Sequence, residues 1–355
     1  MIKKTKNIKV KILGAGSIGN HLAQAARRLD WDVCVVDRDV EALRRMREEI
    51  YPQRYGAWDE KIKLFAVGLE PKGGFDLICV GTPPDVRMRV ALEILKEKPR
   101  ILQLEKPLGV PSKQGMAELD KFLKEYKKQK QTAVLVGYDH SVSQSIKEVL
   151  ELLKNKQIGE ILTLDVEFRE YWGGIFKAHP WLAGPQDSYL GFWQRGGGAS
   201  GEHSHALHLW YFLAKEAGIG KVEKINAALQ MVQNKLVDYD AVCALTFKTD
   251  QGKIGRVVQD VITSPVKKRA YLQGKEGFVE WLCNGHLEGD LVRYSIKGQI
   301  KEKIFKKKRP DDFYMEMSHI KDILEKKILA SKSPLSFESG LEVMRTLAWV
   351  HQKGI

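Results

Sequence analysis

The chain has 355 residues, 43% hydrophobic and 29% charged, a globular composition that excludes disordered and collagen-like chains and, at about 150 residues per domain, leaves room for two domains. Lys and Arg number 58 against 45 Asp and Glu, a net charge of +13, which suits anionic partners such as nucleic acid or phosphorylated and nucleotide-linked small molecules. Zinc-finger spacing, an aromatic RNA-binding signature and an arginine-rich tail are all missing, so no nucleic-acid partner is expected.

The first 140 residues alternate strand-like runs with helical stretches. Strands are predicted at 8–13, 32–37, 61–67, 75–81, 100–105 and 132–137, and helices at 17–29, 39–49, 84–97 and 112–129. The strands are apolar on both faces, as in a parallel sheet covered on both sides. Beyond residue 140 a helix at 143–155 precedes a strand at 161–171, a long aromatic, Gly- and Pro-containing segment at 172–198 and a helix from His205 to Ala214. Runs at 224–232, 241–249, 252–262, 269–274, 277–283 and 291–298, joined by short Gly-rich connections, read as an antiparallel sheet. Two helices, about 312–328 and 338–352, close the chain. The expected fold is therefore α/β: a Rossmann doubly wound parallel sheet over 1–140, then an α+β domain with an open, mainly antiparallel sheet over 141–355. The final helices, about 312–352, are expected to pack back toward the N-terminal domain.

The basic residues come in short runs: Lys3, Lys4, Lys6, Lys9 and Lys11, then Lys127, Lys128 and Lys130, then Lys306 to Arg309. These read as solvated faces and turns. Cys34, Cys79, Cys243 and Cys283 form no CxxC pair, and the first two sit in apolar strand runs as small buried thiols. No apolar stretch approaches the roughly 20 residues a membrane helix needs. The basic start is followed by VKILGAGSIG, cut by three glycines and a poor signal peptide, so a cytoplasmic location and no membrane partner are expected.

Gly14-Ala15-Gly16-Ser17-Ile18-Gly19 is a GxGxxG between a strand and a helix, the setting in which this motif binds a dinucleotide. Gly14 permits the turn, Gly16 admits the pyrophosphate, and Gly19 lets the helix pack on the strand. The N–H groups of the helix start, at Ser17 and Ile18, meet the phosphates. Asp37 ends the second strand, where a carboxylate binds ribose hydroxyls and repels a 2′-phosphate, favouring NAD. Arg38 beside it keeps NADP possible. Thr82, Pro83 and Pro84 close the fourth strand at the crevice edge. Glu105-Lys106-Pro107 does the same for the fifth, where Lys106 would hold a substrate hydroxyl near the nicotinamide. A second such tripeptide, Glu97-Lys98-Pro99, ends a helical stretch and reads as a helix stop.

With the later run Gly196-Gly197-Gly198-Ala199-Ser200-Gly201-Glu202-His203-Ser204-His205-Ala206-Leu207-His208, these motifs resemble the glucose–fructose oxidoreductase / inositol dehydrogenase / rhizopine-catabolism (Gfo/Idh/MocA) family. The resemblance runs over nearly the whole chain, including the closing DFYMEMSHIKDIL and PLSFESGLEVMRTL helices. It implies Lys106 and His205 as the catalytic pair and Glu202 as the acid that orients the histidine, with Glu105 and Lys106 beside the cofactor. His208 stands where an aspartate is common. Arg87 replaces a frequent histidine, and Gly137-Tyr138-Asp139-His140 replaces a frequent Gly-Phe-Asn-Arg. Both changes are expected at the active-site mouth. The family also implies a homodimer or homotetramer joined through the open sheet face.

Taken by themselves, Glu202, His203, His205 and His208 are also a ligand-type cluster from which zinc would accept three donors. Acid–base work is the stronger reading, and no metal is assigned. Either His205 or a neutral Lys106 would take the proton from a CH–OH group while the nicotinamide takes the hydride. Tyr138, Trp172, Trp193, Arg195 and His208 are the candidate substrate contacts, the aromatics stacking on a sugar ring or uracil and Arg195 gripping a phosphate. His179-Pro180-Trp181 lies in the same segment, for which a loop packed over the second sheet or a subunit contact is the alternative. The expected function is an NAD(P)-dependent oxidoreductase acting on a secondary alcohol of a sugar, cyclitol or nucleotide-linked sugar. A non-catalytic NAD(P)-sensing regulator and a metal-dependent or NAD-assisted hydrolase are the alternatives.

Overall fold

The computed structural model describes residues 7–177 and 181–353; Lys3, Lys4, Lys6 and the pair His179-Pro180 lie outside them. The chain divides into two units. The first comprises residues up to Leu108, Ala117–Asp139 and Arg309–Phe337, and the second Gly109–Met116, His140–Lys308 and the residues from Glu338 on.

In the first unit, β1 (Lys9–Leu13), β2 (Asp32–Asp37), β3 (Lys63–Ala66), β4 (Leu77–Val80), β5 (Ile101–Leu104) and β6 (Ala133–Val136) form a parallel sheet in the order 3-2-1-4-5-6. The strands LICV and ILQL are buried at every residue, because the crossover helices remove both faces from water. α1 (Ser17–Arg28) links β1 to β2, and α4 (Pro84–Leu95) links β4 to β5. Between β2 and β3 lie α2 (Val40–Arg45), a π turn (Met46–Ile50) and α3 (Tyr51–Tyr55), a longer element than the predicted helix at 39–49. α5 (Lys113–Lys127) precedes β6. α10 (Arg309–Leu324) packs against α1, with Arg28 paired to Asp311 at 2.8 Å and Phe313 stacked on His21 at 4.4 Å.

The second unit is built on β7 (Ile161–Arg169), β8 (Val222–Gln233), β9 (Asp238–Thr249), β10 (Ile254–Asp260), β11 (Lys267–Gly274), β12 (Gly277–His286), β13 (Gly289–Ile296) and β14 (Gln299–Lys306). They lie in the order 14-13-12-11-7-10-9-8, antiparallel except for the β7–β10 pair. β14 was not predicted, because its run QIKEKIFK is almost wholly exposed and carries no core-facing pattern. α6 (Gln144–Lys154) and α9 (Ser204–Glu216) pack on one face of the sheet, where Leu164, Val166 and Phe168 of β7 are buried. The intervening positions carry a ladder of charged pairs across the other face: Glu302–Arg293, Arg293–Glu280, Glu280–Arg269 and Arg269–Glu167. α7 (Gly173–Lys177), short 3-10 turns and α8 (Gly198–Glu202) fill the segment between β7 and α9. α11 (Phe337–Lys353) ends the described chain, with His351 Nε2 2.8 Å from Ser200 Oγ.

Of the lysines expected on solvated faces, one is buried and another half-buried. Lys11 of β1 is fully buried and pairs with Glu97 at 2.7 Å, so the Glu97-Lys98-Pro99 tripeptide ends α4 by holding a charge under the sheet. Lys307 pairs with buried Asp290 at 3.0 Å. A lysine is buried only when its charge is matched, and a basic run in sequence does not reveal a distant carboxylate. Lys11→Ala leaves the Glu97 carboxylate without its cation, and we expect a loss of about 3–5 kcal/mol. The double variant Lys11→Met, Glu97→Gln should lose less. Urea unfolding monitored by tryptophan fluorescence measures both.

Candidate functional site

The first unit reverses its strand order between β1 and β4, the place where doubly wound sheets open a crevice at the carboxyl ends of the strands. Gly14 leaves β1 at φ +111°, its N–H donating to Val36 O at 2.9 Å, and a Cβ there would stand 3.2 Å from Gly81 O. A Cβ on Gly19 would overlap the Gly14 carbonyl oxygen, whereas one on Gly16 would meet nothing within 4 Å. The three glycines thus answer three different demands: a left-handed turn, an open approach and a close packing. Gly16 caps α1 without a side-chain bond, so the first-turn N–H groups of Ser17, Ile18 and Gly19 face outward for an anion.

Asp37 accepts hydrogen bonds from Ala15 N at 2.7 Å and Asp39 N at 2.9 Å, which fixes its carboxylate beside the glycine turn with lone pairs to spare. Arg38 is exposed, as is Pro83. Thr82 Oγ1 is buried with no hydrogen-bond partner among the described residues. Open space at Gly16, an uncapped helix start, a held carboxylate and an orphan hydroxyl together fit a nicotinamide dinucleotide.

Lys106 is half-buried just beyond β5, in a turn that Arg87 secures. Arg87 is 3% exposed and donates to Glu105 O at 2.8 Å, to Pro107 O, and to Thr82 O at 3.1 and 2.5 Å. It ties the Thr82 turn to the Lys106 turn through backbone carbonyls.

Glu105, expected beside the cofactor, turns its carboxyl inward. Its Oε1 has no hydrogen-bond partner among the described residues, and a Cβ on Gly137 would come within 2.7 Å of it. Burial pushes its pKa up to about 7, with Arg87 pulling it down and Asp139 pushing it further up. Glu316 of α10, raised by its own burial and by Glu105, accepts from Gln103 Nε2 at 2.7 Å. Tyr138 is fully buried.

In the second unit, Glu202 ends α8 and His205 lies in the first turn of α9, both half-buried. The His205 ring stands 5.0 Å from the buried His140 ring and 6.2 Å from Phe168. His140 was noted in sequence only as a departure from a motif, although its place directly after β6 was a usable signal. His203 and His208 are buried, and His208 stacks on Phe212 at 6.4 Å. No three of Glu202, His203, His205 and His208 bring ligand atoms within 4.8 Å of one another. Trp172 is buried in an apolar cluster with Leu190, Ala199, Ala241 and Val261, which is the packed-loop alternative. Trp193 stacks on His351 at 4.7 Å. Arg195 is exposed, 5.8 Å from the Phe192 ring.

Residues 8–138 match the model of an oxidoreductase family with an NAD-binding Rossmann fold, Gfo/Idh/MocA. Residues 8–138 thus carry the NAD-binding Rossmann fold of this family. No curated protein matches it in sequence. Among solved structures it is similar to levoglucosan dehydrogenase in complex with NADH and L-sorbose, at 15% identity and TM-score 0.74, covering 99% of this chain and 97% of that one. It is also similar to the WlbA dehydrogenase from Bordetella pertussis in complex with NADH and UDP-GlcNAcA, at 18% identity and TM-score 0.67, covering 99% and 98%. A third is GenD2 from gentamicin A biosynthesis in complex with NAD, at 15% identity and TM-score 0.70, covering 97% and 93%. At these identities the likeness is one of fold.

A buried carboxyl with a raised pKa stabilises the fold most below its unfolded value, and that stability is lost as pH rises through the folded value. Glu105→Gln removes this group. Its melting temperature relative to the wild type should therefore rise between pH 5 and pH 8, read from paired thermal melts.

Proposed function

We propose that the protein transfers hydride between NAD and a secondary alcohol of a sugar, cyclitol or nucleotide-linked sugar. The observation that carries this reading is the division of labour among Gly14, Gly16 and Gly19, with Asp37 held beside them and Thr82 across the switch point. Bound NAD would supply the hydride acceptor. In this reading Gly16, Ser17, Ile18 and Gly19 take the pyrophosphate and Asp37 takes the adenosine ribose, which favours NAD over NADP. Arg38, exposed beside Asp37, keeps NADP as the alternative.

Lys106 binds the reacting oxygen, its turn held by the Arg87 carbonyl bonds, and stabilises developing alkoxide charge. His205 accepts the hydroxyl proton. Glu202 stabilises the imidazolium, and His140, whose ring lies against His205, limits its rotation. The sugar class of substrate is supported by relatives of the same fold whose structures hold L-sorbose and UDP-GlcNAcA. Arg195, exposed beside the aromatic segment, is the residue we assign to a substrate phosphate. Tyr138, Trp172 and His208 are buried, which does not support their stacking directly on a substrate. The charged ladder on the open face of the second sheet is self-complementary, and we assign it to a homodimer or homotetramer contact.

The test is a screen of sugars, cyclitols and nucleotide sugars for NADH formation at 340 nm. Lys106→Ala and His205→Ala should each lower kcat by roughly 10²–10⁴-fold while the affinity for NADH stays near that of the wild type. A variant of either residue that keeps full turnover would remove it from the reaction.

A further inference from the structure

The helical stretch after β2 does not run straight. The π turn at Met46–Ile50 separates α2 from α3 and adds a residue to one turn, which re-aims every side chain beyond it. The side chain so delivered is Arg54. Its Nη1 donates to Ser17 Oγ at 2.8 Å and lies 3.4 Å from Ser17 O, at the first residue of α1. The guanidinium also lies 3.4 Å from His21 Nε2 and acts on the Tyr55 hydroxyl, and its partners among the described residues include no carboxylate.

Three further features converge there. The first turn of α1 carries no acidic residue and no side-chain cap. Arg309 of α10 is close enough to act with Arg54 on His21. His21, bonded to Tyr55 and stacked on Phe313, is held near pKa 3 by burial and by the two arginines against the opposing pull of Asp139, so it is neutral at physiological pH.

From this geometry we propose that Arg54 is a pyrophosphate-binding residue, reaching across the glycine turn from α3 to the phosphates of a dinucleotide seated on α1. The inference rests on the dinucleotide reading of the glycine turn and adds a residue to it that lies outside the fingerprint. Because Arg54 already donates to Ser17 Oγ, the Ser17 hydroxyl hydrogen is turned away from Arg54 and is available to a phosphate oxygen. The guanidinium offers a second, charge-assisted contact. Arginine is suited to this work by its planar fork of donors.

The test is equilibrium binding of NADH and of ADP-ribose to the full chain, by calorimetry and by energy transfer from tryptophan to bound NADH. ADP-ribose keeps the pyrophosphate and lacks the nicotinamide. Arg54→Ala should weaken both ligands by the same factor, roughly ten- to a hundred-fold, and Arg54→Lys should recover part of it. In a double-mutant cycle with Ser17→Ala, the two losses should sum to more than the combined loss, because the residues act on one group. A folded Arg54→Ala chain that binds both ligands as the wild type does would overturn the proposal. If that variant fails to fold, Arg54→Gln with unchanged affinity would overturn it equally. Wild-type protein that binds neither NADH nor ADP-ribose would remove the dinucleotide reading, and the proposal with it.

Discussion

The first unit depends on the close approach of backbone to backbone at the carboxyl ends of β1 and β4. Gly19 brings α1 onto the Gly14 carbonyl, and Gly14 lies against the Gly81 carbonyl. No side chain fits between these three points. That constraint sets where α1 begins and therefore where its uncapped N–H groups face. The open space at Gly16 is its counterpart, a region cleared of side chains by the packing around it. Asp37 and Thr82 then occupy places that follow from the lengths of β2 and β4.

A second layer of order comes from buried polar groups that act on backbone. Arg87 spends its guanidinium on the carbonyls of Thr82, Glu105 and Pro107, which couples the turn after β4 to the turn that carries Lys106. Beneath them Glu105, Gln103 and Glu316 form a buried acid–amide group. Their burial favours protonated carboxyls, so this part of the unit is governed by solvation more than by ion pairing. In the second unit the arrangement is different. Apolar residues of alternate strand positions meet α6 and α9, and the charged positions between them pair across strands on the opposite face.

The sequence carried most of the strand and helix order because the physics there is local. Runs such as DVCVVD and FDLICVG are apolar without alternation, and a strand of that kind is stable only between two layers of helices. The glycine fingerprint was legible because each glycine answers a steric demand that other residues cannot meet. What escaped notice depends on distant partners. Lys11 looks solvated until Glu97 is placed beneath it, and nothing in the sequence ties Arg87 to the three carbonyls it meets. The residues that bury Trp172, among them Leu190, Ala199, Ala241 and Val261, come from distant parts of the chain. β14 shows no apolar face, and the π turn that aims Arg54 leaves no mark in hydrophobic spacing.

The glycine turn and Asp37 are the groups to which NAD binding is assigned. The most direct measurement is a parallel titration of the purified protein with NADH and with NADPH, read by energy transfer from its eight tryptophans to the bound nicotinamide. The account predicts binding of NADH with NADPH markedly weaker, and a narrowing of that difference in Asp37→Ala. Cofactor-free protein that binds neither, or that prefers NADPH with Asp37 intact, would contradict it.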